Sequence, residues 1–241
     1  MQIIPIHIDK EIDSSDNLSE LLLNATSLEE GDIVIVAQKI ISKNEGRSIV
    51  LSSIIPSLLA EGIASQYKKD PRIVELILSE SKRIVRMNNG VIIVETNHGF
   101  ICANAGIDES NMGDGIATLL PVDSDKSAQN IQKSVKDSIQ KNIAVLISDT
   151  FGRPFRMGQT NCAIGISGMN PLLNYEGTLD TFQKVLRVTE IAVSDELCAA
   201  AELVMKKTTQ CPFVIIRGYS FDPEEYGIEN IVRPENEDLF R

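Results

Sequence analysis

The apolar run Ile143 to Ile147 leads without a break into Ser148, Asp149 and Thr150, and then into FGRPFRMGQTNCAIGISG, which ends at Gly168. Such a run belongs inside a protein and is read as a buried strand. A buried strand that ends on a carboxylate and a hydroxyl fixes two hard oxygens at a sheet edge. The glycine turns that follow let backbone approach closely, and the arginines pair with phosphate or carboxylate. A second stretch, CANAGIDESNMGDG from Cys102 to Gly115, places Asp108 and Asn111 after another apolar run. Two such elements point to a magnesium–nucleotide enzyme.

Composition narrows the field. The chain has 241 residues, 43% of them hydrophobic, enough to bury a core as one unit or as two intimately packed subdomains without a clean linker. A net charge of -11 argues against nucleic acid or an anionic membrane as partner. A small anion remains compatible, because local arginines and a metal can reverse the sign within one cleft. The start MQIIPIHIDKEI does not read as a signal peptide, and no run is long enough to span a bilayer. Cys102, Cys162, Cys198 and Cys211 are scattered without a CxxC pair, and His7 and His98 are the only histidines. Zinc or iron–sulfur ligation therefore has little support, and a reducing cytoplasm is the simplest compartment.

The periodicities predict strands at Gln2–His7, Asp32–Val36, Ile143–Ser148, Val185–Val193 and Phe213–Arg217. Helices are expected at Ser14–Asn24, Pro56–Lys69 and Arg72–Ser81, the last capped by Asp70 before Pro71. Further helices are expected at Asp123–Lys141 and, capped by Ser194, at Asp195–Met205. Ile84–Met87, Val91–Glu95 and Phe100–Asn104 read as three antiparallel strands with Asn-Gly and His-Gly turns between them. AQKIISKNEGR places Lys39, Lys43, Glu45 and Arg47 just past a strand end, where in the plainer reading Lys39, Lys43 and Arg47 simply solvate a surface loop. The mixture of hairpins and crossovers indicates an α+β fold with mixed sheets and flanking helices. There is no GxxxxGK[ST] loop and no GxGxxG after a strand, so neither a P-loop nor a Rossmann site is expected.

Each candidate has a plainer reading. Asp149-Thr150 could be a cap or turn, and Asp108 an ordinary polar turn. The lysines could simply solvate a surface, and the cysteines fill the core. A cap, however, needs no arginine pair such as Arg153 and Arg156.

The strings VAQKIISKNEGR (Val36 to Arg47), HGFICANAGIDESN (His98 to Asn111), SDTFGRPFRMGQTNCAIG (Ser148 to Gly165) and VTEIAVSDELCAAAELVM (Val188 to Met205) resemble, in order, the blocks of coenzyme F420-0:γ-glutamyl ligases. The resemblance covers nearly the whole chain. It implies a GTP-dependent ligase that adds L-glutamate to coenzyme F420-0 and extends a γ-linked tail. It also implies magnesium or manganese, help from potassium, and a homodimer. Asp108, Asp149 and Thr150 fall on the family's metal positions. Gln38, Lys39, Lys43 and Asn111 fall where the family contacts GTP. Lys206, Lys207, Thr208, Thr209 and Gln210 match its second nucleotide loop. Arg153 and Arg156 are candidate catalytic residues for the acceptor's phosphodiester or the moving phosphoryl group. Ile8-Asp9-Lys10-Glu11 replaces a Gly-Leu-Pro turn common in the family, and the 206–210 loop lacks a glycine often found there. A ligase for another carboxylate and amine, or a non-catalytic nucleotide- or F420-binding module, is the alternative.

Overall fold

The computed structural model describes residues 1–108 and 115–238. In chain order the elements are β1 (Gln2–Ile6), α1 (Leu18–Ala25), β2 (Ile33–Ala37), α2 (Gln38–Asn44), β3 (Ser48–Val50), α3 (Leu58–Tyr67) and α4 (Pro71–Ser79). There follow β4 (Ser81–Asn88), β5 (Val91–Thr96), β6 (Ile101–Ala103), β7 (Ile116–Thr118), α5 (Ser124–Ile139) and β8 (Ala144–Arg153). The chain continues with β9 (Arg156–Ser167), β10 (Leu173–Asn174), β11 (Glu190–Ile191), α6 (Val193–Met205) and β12 (Phe213–Arg217). The architecture is α+β, as the sequence predicts. No helix among the described residues is long and apolar enough to cross a membrane.

The main sheet has the order β1-β12-β2-β8-β9. Only β2 and β8 run parallel, with Ile33 opposite Ala144 and Ala37 opposite Ser148. Both are buried on two faces, which explains their unbroken apolar sequences. One face packs on α1 and α5 through Leu22, Ile131 and Val135, and the other on α6 through Leu197, Cys198 and Ala201. A third cluster lies in the segment between β3 and β7, where Ile63, Val74, Ile77 and Ile92 pack among α3, α4 and the β4-β5-β6 meander. Arg47 joins this segment to the rest, donating to the Leu120 carbonyl at 2.9 Å and to Glu80 at 2.7 Å.

Several expectations hold. Asp70 caps α4 by accepting from the Arg72 N–H at 2.8 Å, and the three-stranded meander forms as expected. The surface helix α5 buries Ala128, Ile131 and Val135. His98 has a structural role: its Nε2 donates to the Pro121 carbonyl at 2.8 Å while the ring stacks on Phe100.

Others are corrected. The helix expected from Ser14 starts at Leu18, because Asp13, Ser15 and Asp16 close a local turn on their own carboxylates and Asn17 caps instead. The loop after β2 is the helix α2, whose first turn is braced by Gln38 Nε2 donating to Ser42 Oγ at 2.6 Å. The strand expected at Val185–Val193 shrinks to Glu190–Ile191 beside Leu173–Asn174, and Val188 is 91% exposed. Helix α6 begins at Val193 with Ala192 at the cap position, so Ser194 lies inside the first turn.

The main correction concerns Arg156 to Ser167. This stretch is a twelve-residue strand paired with β8, not a series of glycine turns. Gly165 is required by packing, since a Cβ there would lie 2.6 Å from backbone atoms of Ser124 at the start of α5. Gly158, near the hairpin tip, has φ of +82°, which suits glycine.

Candidate functional site

The topology brings one end of four strands together. β2 and β8 are parallel, so their carboxyl ends share a sheet edge, where Gln38 and Lys39 follow β2 and Asp149 and Thr150 close the buried part of β8. β12 is antiparallel to β2, so the 206–212 loop before it reaches the same edge. β1 is antiparallel to β12 and delivers Ile8 to Ile12 there as well. Asp108 arrives from the segment between β3 and β7, held by paired backbone hydrogen bonds with Thr118 at 3.0 and 2.8 Å.

These pieces enclose a cavity of about 890 Å³. Its lining includes the three candidate metal residues Asp108, Asp149 and Thr150. Of the candidate nucleotide residues, Gln38, Lys39, Lys43, Lys206, Lys207, Thr208 and Gln210 also line it. Thr209 does not. Its carbonyl accepts from His7 Nδ1 at 2.8 Å and its hydroxyl bonds the Met205 carbonyl, so it ties the loop to β1 and α6. Asn111 lies outside the described residues. Arg153 and Arg156 sit at the exposed tip of the β8–β9 hairpin, beyond the lining, where Arg153 Nη2 donates to the Met157 carbonyl at 2.7 Å.

The electrostatics inside are closely coupled. Lys39 Nζ lies 2.6 Å from Asp108 Oδ2. Lys43 pairs with Glu11, so the acidic N-terminal turn closes on a lysine of the cavity wall. Lys207 Nζ donates to Thr150 Oγ1 at 2.5 Å and stands 3.6 Å from Glu202. Burial pushes the Asp149 carboxyl up to about 6, and the nearby charge of Asp108 adds to the rise. The Thr150 backbone N–H, Lys207 and Lys39 act the other way without cancelling it. Burial and Asp149 likewise push the Cys102 thiol up to about 12, which leaves it protonated and unsuited to nucleophilic work.

The donor set fits a magnesium- or manganese-class ion. It offers two carboxylates and a hydroxyl, all hard oxygens, and two of these three groups already hold an ammonium. The burial cost at Asp149 is one that a nearby divalent charge would offset. Among the described residues no three His, Cys, Asp or Glu side chains form a complete cage.

Sequence reading missed Ser148 and Asn161, which also line the cavity, and Glu202; the three form a hydrogen-bonded chain to Thr150. Asn161 is opposite Thr150 in the hairpin, so recognising β9 as a strand would have found it.

The F420-0:Gamma-glutamyl ligase family profile matches residues 7–218. The chain is 43% identical over 238 residues to the coenzyme F420:L-glutamate ligase of Methanothermobacter thermautotrophicus, covering 95% of this chain and 94% of that protein. It is 43% identical to the enzyme of that name from Methanocaldococcus jannaschii, over 93% of this chain and 90% of that one. With the Methanopyrus kandleri enzyme the identity is 39%, over 100% and 98% of the two chains.

Proposed function

The chain belongs to the F420-0:γ-glutamyl ligase family and is an amide-bond-forming ligase, and from that premise we propose that it joins L-glutamate to coenzyme F420-0 and extends the γ-linked tail at the expense of GTP. The observation that carries this reading is the meeting of Asp108, Asp149 and Thr150 with Lys39, Lys43 and Lys207 in one cavity. A binding module has no need for a desolvated carboxylate beside a second one, whereas phosphoryl transfer does.

The chemistry follows from what a carboxylate cannot do. Its oxygen is a poor leaving group, so an amine does not displace it at neutral pH. In our reading the acceptor carboxylate takes the γ-phosphoryl group of GTP, releasing GDP and forming an acyl phosphate. The glutamate nitrogen then attacks the acyl carbon and phosphate leaves. The nitrogen's proton passes to water or to the departing phosphate. Asp108, Asp149 and Thr150 would hold magnesium or manganese, which supplies charge neutralisation at the β- and γ-phosphates. Lys39, Lys43 and Lys207 add fixed positive charge around the same oxygens, and Gln38, Thr208 and Gln210 orient the nucleotide. Potassium, as in the family, would assist nucleotide binding.

Arg153 and Arg156 fit the acceptor better than the triphosphate, because the hairpin carries them away from the cavity lining. We assign them to the phosphodiester of F420-0. The same hairpin tip presents Phe155 and Met157, 90% and 96% exposed, and the 171–191 segment presents Phe182 at 81%. Large exposed apolar side chains on these two segments accord with the homodimer of the family. Four unpaired thiols accord with a reducing cytoplasm.

The test is mass spectrometry of F420-0 incubated with the protein, GTP, magnesium and L-glutamate. A gain of one or more glutamate residues, dependent on GTP, is expected. Unchanged mass with retained F420-0 binding would instead indicate a module without catalysis. Incorporation of a different amino acid in preference to glutamate would redirect the substrate assignment.

A further inference from the structure

Thr150 carries one hydrogen and two lone pairs, and where that hydrogen points decides whether the oxygen can serve a cation. Its Oγ1 lies 2.7 Å from Asn161 Oδ1 and 2.5 Å from Lys207 Nζ. An ammonium has no lone pair to offer, so Thr150 accepts from Lys207 and its hydrogen goes to Asn161. The orientation of the Asn161 amide is fixed in turn. Its Nδ2 lies 3.3 Å from Glu202 Oε2, an oxygen that only accepts, and 3.0 Å from Ser148 Oγ. Turning the amide over would set oxygen against the Glu202 carboxylate and nitrogen against the Thr150 hydroxyl. Asn161 is 3% exposed and faces Thr150 across the β8–β9 ladder, so little freedom remains for another arrangement.

We infer that Asn161 is a positioning residue: it holds the Thr150 hydrogen on its own amide oxygen and so leaves a Thr150 lone pair for a cation. The chain of dependence runs from Glu202 on α6 through Asn161 on β9 to Thr150 on β8. This inference rests on the reading of Thr150 as a metal ligand. Outer partners of metal ligands typically change metal affinity by about 10- to 100-fold when removed.

The experiment is a double-mutant cycle on Mn2+ affinity, measured by electron paramagnetic resonance of unbound Mn2+ with the protein alone. Circular dichroism checks that each variant is folded. Thr150→Val and Asn161→Leu should each weaken Mn2+ binding, and the double variant should be no weaker than Thr150→Val alone. Asn161→Asp, combined with Glu202→Gln so that an amide replaces the opposing carboxylate, keeps an acceptor oxygen for the Thr150 hydroxyl. It should recover most of the affinity lost in Asn161→Leu, and recover nothing in the Thr150→Val background. Losses that multiply in the double variant would overturn the inference, as would equal recovery by Asp in both backgrounds, which would mark a simple charge effect. Thr150→Val weakening Mn2+ while Asn161→Leu changes nothing would overturn the inference and leave the ligand reading standing. Unchanged affinity in Thr150→Val would remove the ligand reading and the inference with it.

Discussion

Lys39 on α2 meets Asp108 from the β3–β7 segment, Nζ to Oδ2 at 2.6 Å, and so joins the two parts of the molecule across the cavity. The pair sets a fixed positive charge beside a carboxylate at the carboxyl end of β2. Lys39→Met should lower kcat for GTP-dependent ligation by about 10²- to 10³-fold, the usual cost of removing a charge placed for a transition state. Steady-state kinetics at saturating GTP measures it. A rise in KM at unchanged kcat would show that Lys39 serves ground-state binding only.

Asp149 couples function to stability. Its folded-state carboxyl is raised from 3.8 to about 6, chiefly by burial. The folded state therefore holds the proton more tightly than the unfolded chain does. The stabilisation that this proton gives is complete below about pH 4 and is lost as pH rises through about 6. Above that the metal-free fold carries a charged, desolvated carboxylate. Asp149→Asn should raise metal-free stability at pH 7.5 by about 1–3 kcal/mol and leave it nearly unchanged at pH 4. Urea unfolding at the two pH values checks this, and equal effects at both would contradict it.

Lys206 ends α6 with φ 52° and ψ -175°, a backbone region that favours glycine strongly. Residues held there cost of order 1–3 kcal/mol. Lys206→Gly should relieve that strain, offset in part by the greater freedom of glycine in the unfolded chain, for a net gain of about 1 kcal/mol. Thermal unfolding would report the gain as a higher Tm. A lower Tm would mean that the lysine side chain contributes more than its backbone costs.

Glu11 holds Lys43 at the cavity wall. The Glu11 side chain is 80% exposed, so the pair is weak and readily exchanged for a phosphate. Glu11→Gln should tighten GTP binding modestly, by about two- to fivefold, the range of an exposed ion pair. Isothermal titration at low salt measures it. Weaker binding would show that Glu11 supports the nucleotide directly.

Much of this was legible in the sequence because burial writes a strong signal. The runs at Ile33–Val36 and Ile143–Ile147 announced two buried strands; that they pair in parallel, so that the residues just past them share one sheet edge, came from the structure. Asp108 was legible as chemistry but not as position, since its place depends on a backbone bridge to Thr118. The strand β9 was hidden by its glycines. Gly158 and Gly165 look like chain breakers until the hairpin tip and the close packing of α5 explain them. With β9 unread, Asn161 had no partner and the hydrogen-bonded chain to Thr150 went unnoticed. Helix α2 was hidden for another reason: its polar residues read as a loop, whereas Gln38 and Ile41 face inward.

The most direct test is phosphate release from GTP with Mn2+, compared between the natural chain and Asp149→Asn. Release should require both F420-0 and L-glutamate in the natural chain, and should vanish in the variant while its circular dichroism is unchanged. Release at the full rate without F420-0, or undiminished turnover in Asp149→Asn, would contradict the assignment of this sheet edge as the phosphoryl-transfer centre.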